Sequence, residues 1–297
     1  MAVVFDNIPN FRDVGKTVND YLGRKVLREG VLYRSARPDD ATPDDRYRLA
    51  SELGIRTIVD LRTKTEHLKQ AERRKQKQRE AGELPQQGDD VKIPGIQYRE
   101  VKVTGRRFEL FLLSQLSWWN FFKFLFLFLL GCRTPAIRII TQEVMLPRGL
   151  IGLGTLTLDQ SKSEIAEILQ TLLAPSSTPL LIHCTQGKDR TGLLIALILM
   201  SLSSPSSPKI PSTTTPLIPL PAIEYDYLLT RLSLPLISAS AEILEIGLTP
   251  DWGACPGDFV RAVEAHLDNA YGGVVPYLEG IGIGVEERRR LVEVLGA

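Results

Sequence analysis

The chain has 297 residues, 43% of them hydrophobic, and its 36 Lys and Arg nearly cancel 35 Asp and Glu. A net charge of +1 supplies no global basic field, so nucleic acid is not an expected partner. Three cysteines (Cys132, Cys184 and Cys255) give no disulfide framework, and the first residues lack a basic stretch followed by a long apolar core; no secretory signal is expected, and a cytoplasmic setting follows.

In chain order, runs rich in β-branched residues predict strands at 31–33, 57–61, 97–103, 136–145 and 180–183. A short helix is predicted over 44–53, ended by Gly54. Ser161 and Glu164 have the spacing of a capping box, followed by Ile165, Ile168, Leu169 and Leu172 at helical intervals. Amphipathic helices are predicted at 259–267 and 285–295. Strands alternating with helices indicate an α/β fold with a mostly parallel central sheet flanked by helices. The length fits a single domain over 1–297 that carries insertions.

Three insertions interrupt this plan. Residues 69–90 are dense in Lys, Arg, Glu and Gln, and read as a solvated helix or disordered loop. Residues 201–221 are mostly Ser, Pro and Thr, a composition that buries no core and predicts a surface loop. The third, within 106–133, is apolar and aromatic, and its stretch 110–130 has the length of a bilayer span. Asn120 and Lys123 near its centre argue against a span. So does topology, because one crossing would separate the early blocks from the loop at 184–190. A buried hairpin, a lid, or a helix lying on a membrane surface are the remaining readings, and peripheral membrane contact through 110–130 is one expectation.

The densest signal is Leu180-Leu-Ile-His-Cys-Thr-Gln-Gly-Lys-Asp-Arg-Thr-Gly192. A buried strand, a tight loop and a helix starting near Thr191 turn backbone N–H groups inward, and with the helix dipole they form a socket for an oxyanion. Cys184 stands at its floor as a candidate thiolate nucleophile. Arg190 can grip two phosphoryl oxygens with its planar fork. Thr185, Gln186, Gly187 and Lys188 are the candidate phosphate cradle, with Lys188 expected beside the socket. His183 would orient the loop, and Thr191 would either assist the departing sulfur or cap the helix. Arg12, Asp13, Arg34, Arg37 and Arg62 are candidates for an ion network under the loop. No metal or cofactor is expected.

This loop resembles the signature of the bacterial and fungal tyrosine/serine phosphatase family, cysteine-dependent enzymes that include a secreted mycobacterial member of mixed protein and lipid specificity. Asn10-Phe-Arg-Asp-Val-Gly15, Leu32-Tyr-Arg-Ser-Ala-Arg37, Gly54 to Arg62 with Glu66, Tyr225 to Thr230, and Tyr277-Leu278 are similar to further blocks of that family. The resemblance implies a cysteine-phosphatase-like fold with a helical lid-like insertion, a cysteinyl-phosphate intermediate, and Asp189 as general acid. No Trp-Pro-Asp tripeptide occurs, and 104–158 contains no Asp; Asp60 and Asp159 therefore stay open as alternative acids, Asp60 also as a support for Arg190. The expected activity is removal of phosphate from phosphotyrosine proteins, with phosphoserine and phosphothreonine as further substrates. A phosphoinositide phosphatase at membranes and a non-catalytic scaffold that binds phosphorylated ligands are the alternatives.

Overall fold

The computed structural model describes residues 4–80, 91–203, 218–233 and 247–297. Five strands make one sheet: β1 (Arg12–Asp13), β2 (Leu32–Ser35), β3 (Thr57–Asp60), β4 (Gln97–Glu100) and β5 (Leu180–His183), in the order β1-β2-β5-β3-β4. β1 runs antiparallel to β2, and the other three pairings are parallel. The α/β class and mostly parallel sheet expected from the sequence are what the chain adopts.

Alternation along the strands divides the core in two. Leu32, Val59, Leu180 and Ile182 join one cluster, whereas their neighbours Tyr33, Ile58 and Leu181 join a smaller cluster on the other face. On the first side packs α9 (Asp189–Ser203), in which every residue from Thr191 to Leu202 is buried. A helix apolar on all sides belongs in the centre of a domain. α1 (Val14–Leu22), α8 (Lys162–Leu173), α11 (Phe259–Tyr271) and α13 (Val285–Leu295) surround it through residues of the same cluster. α10 (Leu220–Ser233) and α12 (Val274–Gly280) complete that side. α2 (Pro43–Tyr47), capped reciprocally by Thr42 and Asp45 and prolonged by a π turn at Arg48–Glu52, accounts for the helix expected at 44–53.

A third cluster builds a helical cap from α4 (Arg106–Ser114), α5 (Trp118–Leu129), α6 (Arg133–Ile140), a π turn at Thr141–Met145, and α7 (Leu146–Gln160). The apolar segment 106–133, expected as an insertion, lies here. The strand expected at 136–145 is corrected to helix. Ile139 and Val144 pack with Phe108 and Leu156, and packing of this kind outweighs a β-preference that mainly reflects fit to a pleated surface. The capping box expected at Ser161 is also corrected, because Ser161 makes no cap hydrogen bond and its hydroxyl donates to the Val103 carbonyl. The polar insertion runs as far as residue 80 within α3 (Lys64–Glu80), and its remainder, 81–90, lies outside the described residues. Of the Ser/Pro/Thr-rich segment, 204–217 likewise lie outside them.

Candidate active site

β2, β5 and β3 lie side by side and parallel, so Ser35, His183 and Asp60 align in register at their carboxyl ends. The crevice beyond that edge is where open α/β sheets place their ligands. β5 ends at His183, Cys184 follows, and α9 begins at Asp189.

The loop between them is held from outside by its carbonyls. Asn10 Nδ2 donates to the oxygens of Gln186 at 3.2 Å and Gly187 at 2.8 Å, and Arg34 Nη2 donates to Gly187 O at 2.8 Å. The Arg37 amide donates to Thr185 O at 3.3 Å. In a planar trans peptide the following N–H points opposite to the carbonyl. Anchoring these three carbonyls therefore turns the amides of Gln186, Gly187 and Lys188 to the other side of the loop, as an anion cradle requires. Gly187 has φ 66°, and a Cβ there would stand 2.2 Å from the Ser35 carbonyl oxygen. Only glycine meets both conditions.

Behind the cradle, Asp226 on α10 links two guanidinium groups. Arg34, fully buried, pairs with its Oδ2; Arg12 Nε lies 2.8 Å from Oδ1, and Arg12 Nη2 donates to Thr230 Oγ1 at 3.1 Å. Burial, with help from the Arg34 charge, lowers the Arg12 guanidinium to about 10 against the pull of Asp226. Burial opposes ionisation of Asp226, but the two arginines outweigh it and hold its carboxyl below the ordinary range. Asp13 is not part of this network: it caps α1 by accepting from the Lys16 amide at 3.2 Å and also accepts from Gly30.

Arg190 reaches back from the first turn of α9 to Glu66 on α3, with Nη1 to Oε2 at 2.8 Å and Nη2 to Oε1 at 2.6 Å. It also donates to Leu61 O at 3.2 Å. Glu66 accepts from the Thr63 amide at 2.9 Å and from the Thr185 hydroxyl, so one carboxylate fixes the helix start, the loop and the arginine together. Burial works against its charge, but Arg190 outweighs burial and depresses the carboxyl far below its usual range. Arg190 is correspondingly raised against its own burial by Glu66, with a smaller contribution from Cys184.

Asp60 supports the opposite side. Arg62 binds it through Nε at 3.0 Å and Nη2 at 2.7 Å, and extends to Asp39 at 2.6 Å. His183 Nε2 lies 3.6 Å from Asp60, and its Nδ1 lies 3.3 Å from the Cys184 carbonyl oxygen. Burial lowers the His183 pKa despite Asp60, so the ring is neutral at neutral pH. Burial also opposes ionisation of Asp60, but His183, once protonated, and the charge and hydrogen bonds of Arg62 prevail and hold it at about 2. A carboxyl lowered in the folded state stabilises it above the unfolded value of ~3.9, and that stability fades as pH falls toward the folded value. Asp60→Asn is therefore expected to cost about 2 kcal/mol at neutral pH and to flatten the loss of stability between about pH 4 and 2. Urea titrations across that range measure both; an unchanged acid slope would remove Asp60 from the account.

A cavity of about 510 Å³ opens over the loop. It brings together Cys184, Thr185, Gln186, Asp189 and Arg190, with Glu66 at one side and Trp252 at another. Phe108, Leu112, Ile137, Leu150 and Leu153 line it from the cap. Asp189 has a side chain 39% exposed, yet its Oδ1 is shielded and has no hydrogen-bond partner among the described residues. Its surroundings of protein push the carboxyl up, against the opposing charges of Lys188 and Arg190.

Lys188 does not line the cavity. It is fully buried, and its ammonium donates to the carbonyls of Trp252 at 2.7 Å and Ala254 at 2.9 Å. The side chains of His183, Thr191 and Asp60 do not line it either, Gly187 takes part only through its backbone, and the buried Thr191 hydroxyl has no hydrogen-bond partner among the described residues. Asp159 lies elsewhere, accepting from Tyr271 at 2.6 Å and 2.8 Å from His266. Sequence reasoning assigned no role to Asn10, Asp226 or Glu66. All three lie within the quoted blocks, but their partners are far away in the chain.

The sequence model of a tyrosine phosphatase family matches residues 3–210, a span containing the whole sheet, the loop and Arg190. No curated protein matches the chain. With the match extending over well over half of its length, the chain belongs to the tyrosine phosphatase family and is a phosphatase of the hydrolase class.

Proposed function

We propose that this protein removes phosphate from phosphotyrosine side chains through a cysteinyl-phosphate intermediate on Cys184. The observation that carries the reading is the placement of Arg190: its fork is fixed by two bonds to Glu66 at the wall of the cavity that Cys184 lines. A phosphoryl group over the sulfur would meet the loop amides and the Arg190 guanidinium, where negative charge spreads in the transition state.

In the first step the Cys184 thiolate forms an S–P bond as the ester P–O bond breaks. Asp189 gives its proton to the departing phenolate oxygen; its raised pKa keeps that proton available at higher pH than an ordinary carboxyl would. Water then attacks phosphorus and passes a proton to the Asp189 carboxylate. The S–P bond breaks, the thiolate is restored and inorganic phosphate leaves. The apolar wall from the cap favours an aryl over an alkyl ester, which is why phosphotyrosine is preferred over phosphoserine. Lys188 acts as a strut that joins the loop to the Trp252 segment.

Purified protein should hydrolyse a simple aryl phosphate, and Cys184→Ser should abolish that turnover; undiminished turnover by the serine variant would sink the proposal. Asp189→Asn is expected to slow phenyl phosphate roughly 10²-fold and a nitrophenyl ester much less, since a good leaving group needs little protonation. Equal slowing of both esters would show that the leaving-group proton comes from another residue.

A further inference from the structure

The cap's outer surface carries large exposed apolar side chains along one helix. α5 has 12 residues and buries none of them. Its inner side is fixed by Phe124 and Leu127, packed against the cap core, and by Asn120, which donates to Glu143 at 2.7 Å. The outer side holds Trp118 (73% exposed), Trp119 (83% exposed), Phe122, Phe126 and Leu129. With about 100° of rotation per residue, these and their exposed neighbours cover an arc of about 180°. The apolar stripe by which a helix packs onto a protein core is at least about 100° wide, and in α5 the packed side, with Phe124 and Leu127, is the opposite one.

Charge restricts what can cover this face. No Asp or Glu occurs from Leu110 through Gln142, whereas Lys123 and Arg133 are exposed in that span and Arg106 and Arg107 are exposed at its base. A second copy of the chain would bring like charges together, which opposes association. A surface of anionic headgroups over hydrocarbon is complementary to both the charge and the apolar arc. At ~1.5 Å per residue the helix is about 18 Å long, well short of a ~30 Å hydrocarbon core. Among the described residues no helix is long and apolar enough to cross a membrane. The geometry of an amphipathic element that lies in the plane of the interface remains.

We propose that α5 is an in-plane anchor that docks the cap onto an anionic lipid bilayer. The half-cylinder from Trp118 to Leu130 enters the boundary between headgroups and acyl chains, while Lys123 and Arg133 meet the headgroup charge. α5 lines no part of the cavity, whose apolar wall comes from the neighbouring cap helices α4, α6 and α7. Docking is therefore separable from turnover of a small soluble ester, and its test does not depend on the catalytic reading.

Flotation of the full chain with vesicles tests it. The protein should float with phosphatidylcholine vesicles containing a minor fraction of phosphatidylserine, and at least about tenfold less with phosphatidylcholine alone. Trp118→Glu combined with Trp119→Glu should reduce binding at least about tenfold without changing turnover of a soluble aryl phosphate. Should that variant fail to fold, wild-type tryptophan emission decides: a blue shift with charged vesicles, quenched by brominated acyl chains, is expected. Wild-type protein that neither floats nor shifts its emission overturns the proposal. So does lipid binding that survives the double substitution in a folded protein. A dimer seen by light scattering, dissolved by the double substitution and indifferent to vesicles, would assign the face to a second copy and also overturn it.

Discussion

Arg190→Lys should lower kcat on an aryl phosphate by about 10³-fold while leaving the fold intact. Lysine keeps the charge, and one ammonium can still reach Glu66. It cannot hold Glu66 with one edge and present a planar pair of donors to phosphoryl oxygens with the rest. Glu66→Gln gives the complementary result. The guanidinium remains, but the carboxylate that fixes it, the Thr185 hydroxyl and the Thr63 amide is gone. Losing that orientation is expected to cost about 10²-fold, mostly in kcat. Steady-state kinetics of the two variants, with circular dichroism to verify folding, measure both. A lysine variant with near wild-type kcat would mean that Arg190 does not meet the transition state.

Asp226→Asn is expected to be the most destabilising single change around the site, at roughly 3–5 kcal/mol. Arg34 and Arg12 are both buried against this carboxylate. Asparagine keeps the shape but leaves two guanidinium charges without a counterion in the interior. The same change frees Arg34 from the position in which it holds the Gly187 carbonyl, so the anion cradle loosens as stability falls. Urea unfolding gives the magnitude; a loss below about 1 kcal/mol, the value of an exposed pair, would show that the network is solvated in solution.

What could be read from the sequence follows the range of the interactions involved. β5 and the start of α9 were legible because the apolar run, the glycine and the loop chemistry are contiguous between Leu180 and Gly192. The α/β class followed from the alternation of strands with amphipathic helices. The helix at Arg133–Ile140 was not legible, since its Ile residues prefer strands locally and only packing with Phe108 and Leu156 makes them helical. Lys188 shows the same limit at the site. Its place beside the nucleophile suggested a phosphate ligand, but its direction is set by two carbonyls more than sixty positions away. The Arg12–Asp226 and Arg190–Glu66 pairs join residues 214 and 124 positions apart. Sequence supplied the charges of these pairs without their pairing.

The proposed reaction depends on a covalent bond between phosphorus and the Cys184 sulfur. Rapid acid quenching of the enzyme during turnover of an aryl phosphate, followed by mass spectrometry of its peptides, tests it most directly. A phosphoryl group on the peptide containing Cys184, formed at the rate of the aryl alcohol burst and absent from Cys184→Ser, is the predicted result. A phosphoryl group on another residue, or its persistence in the serine variant, would contradict it.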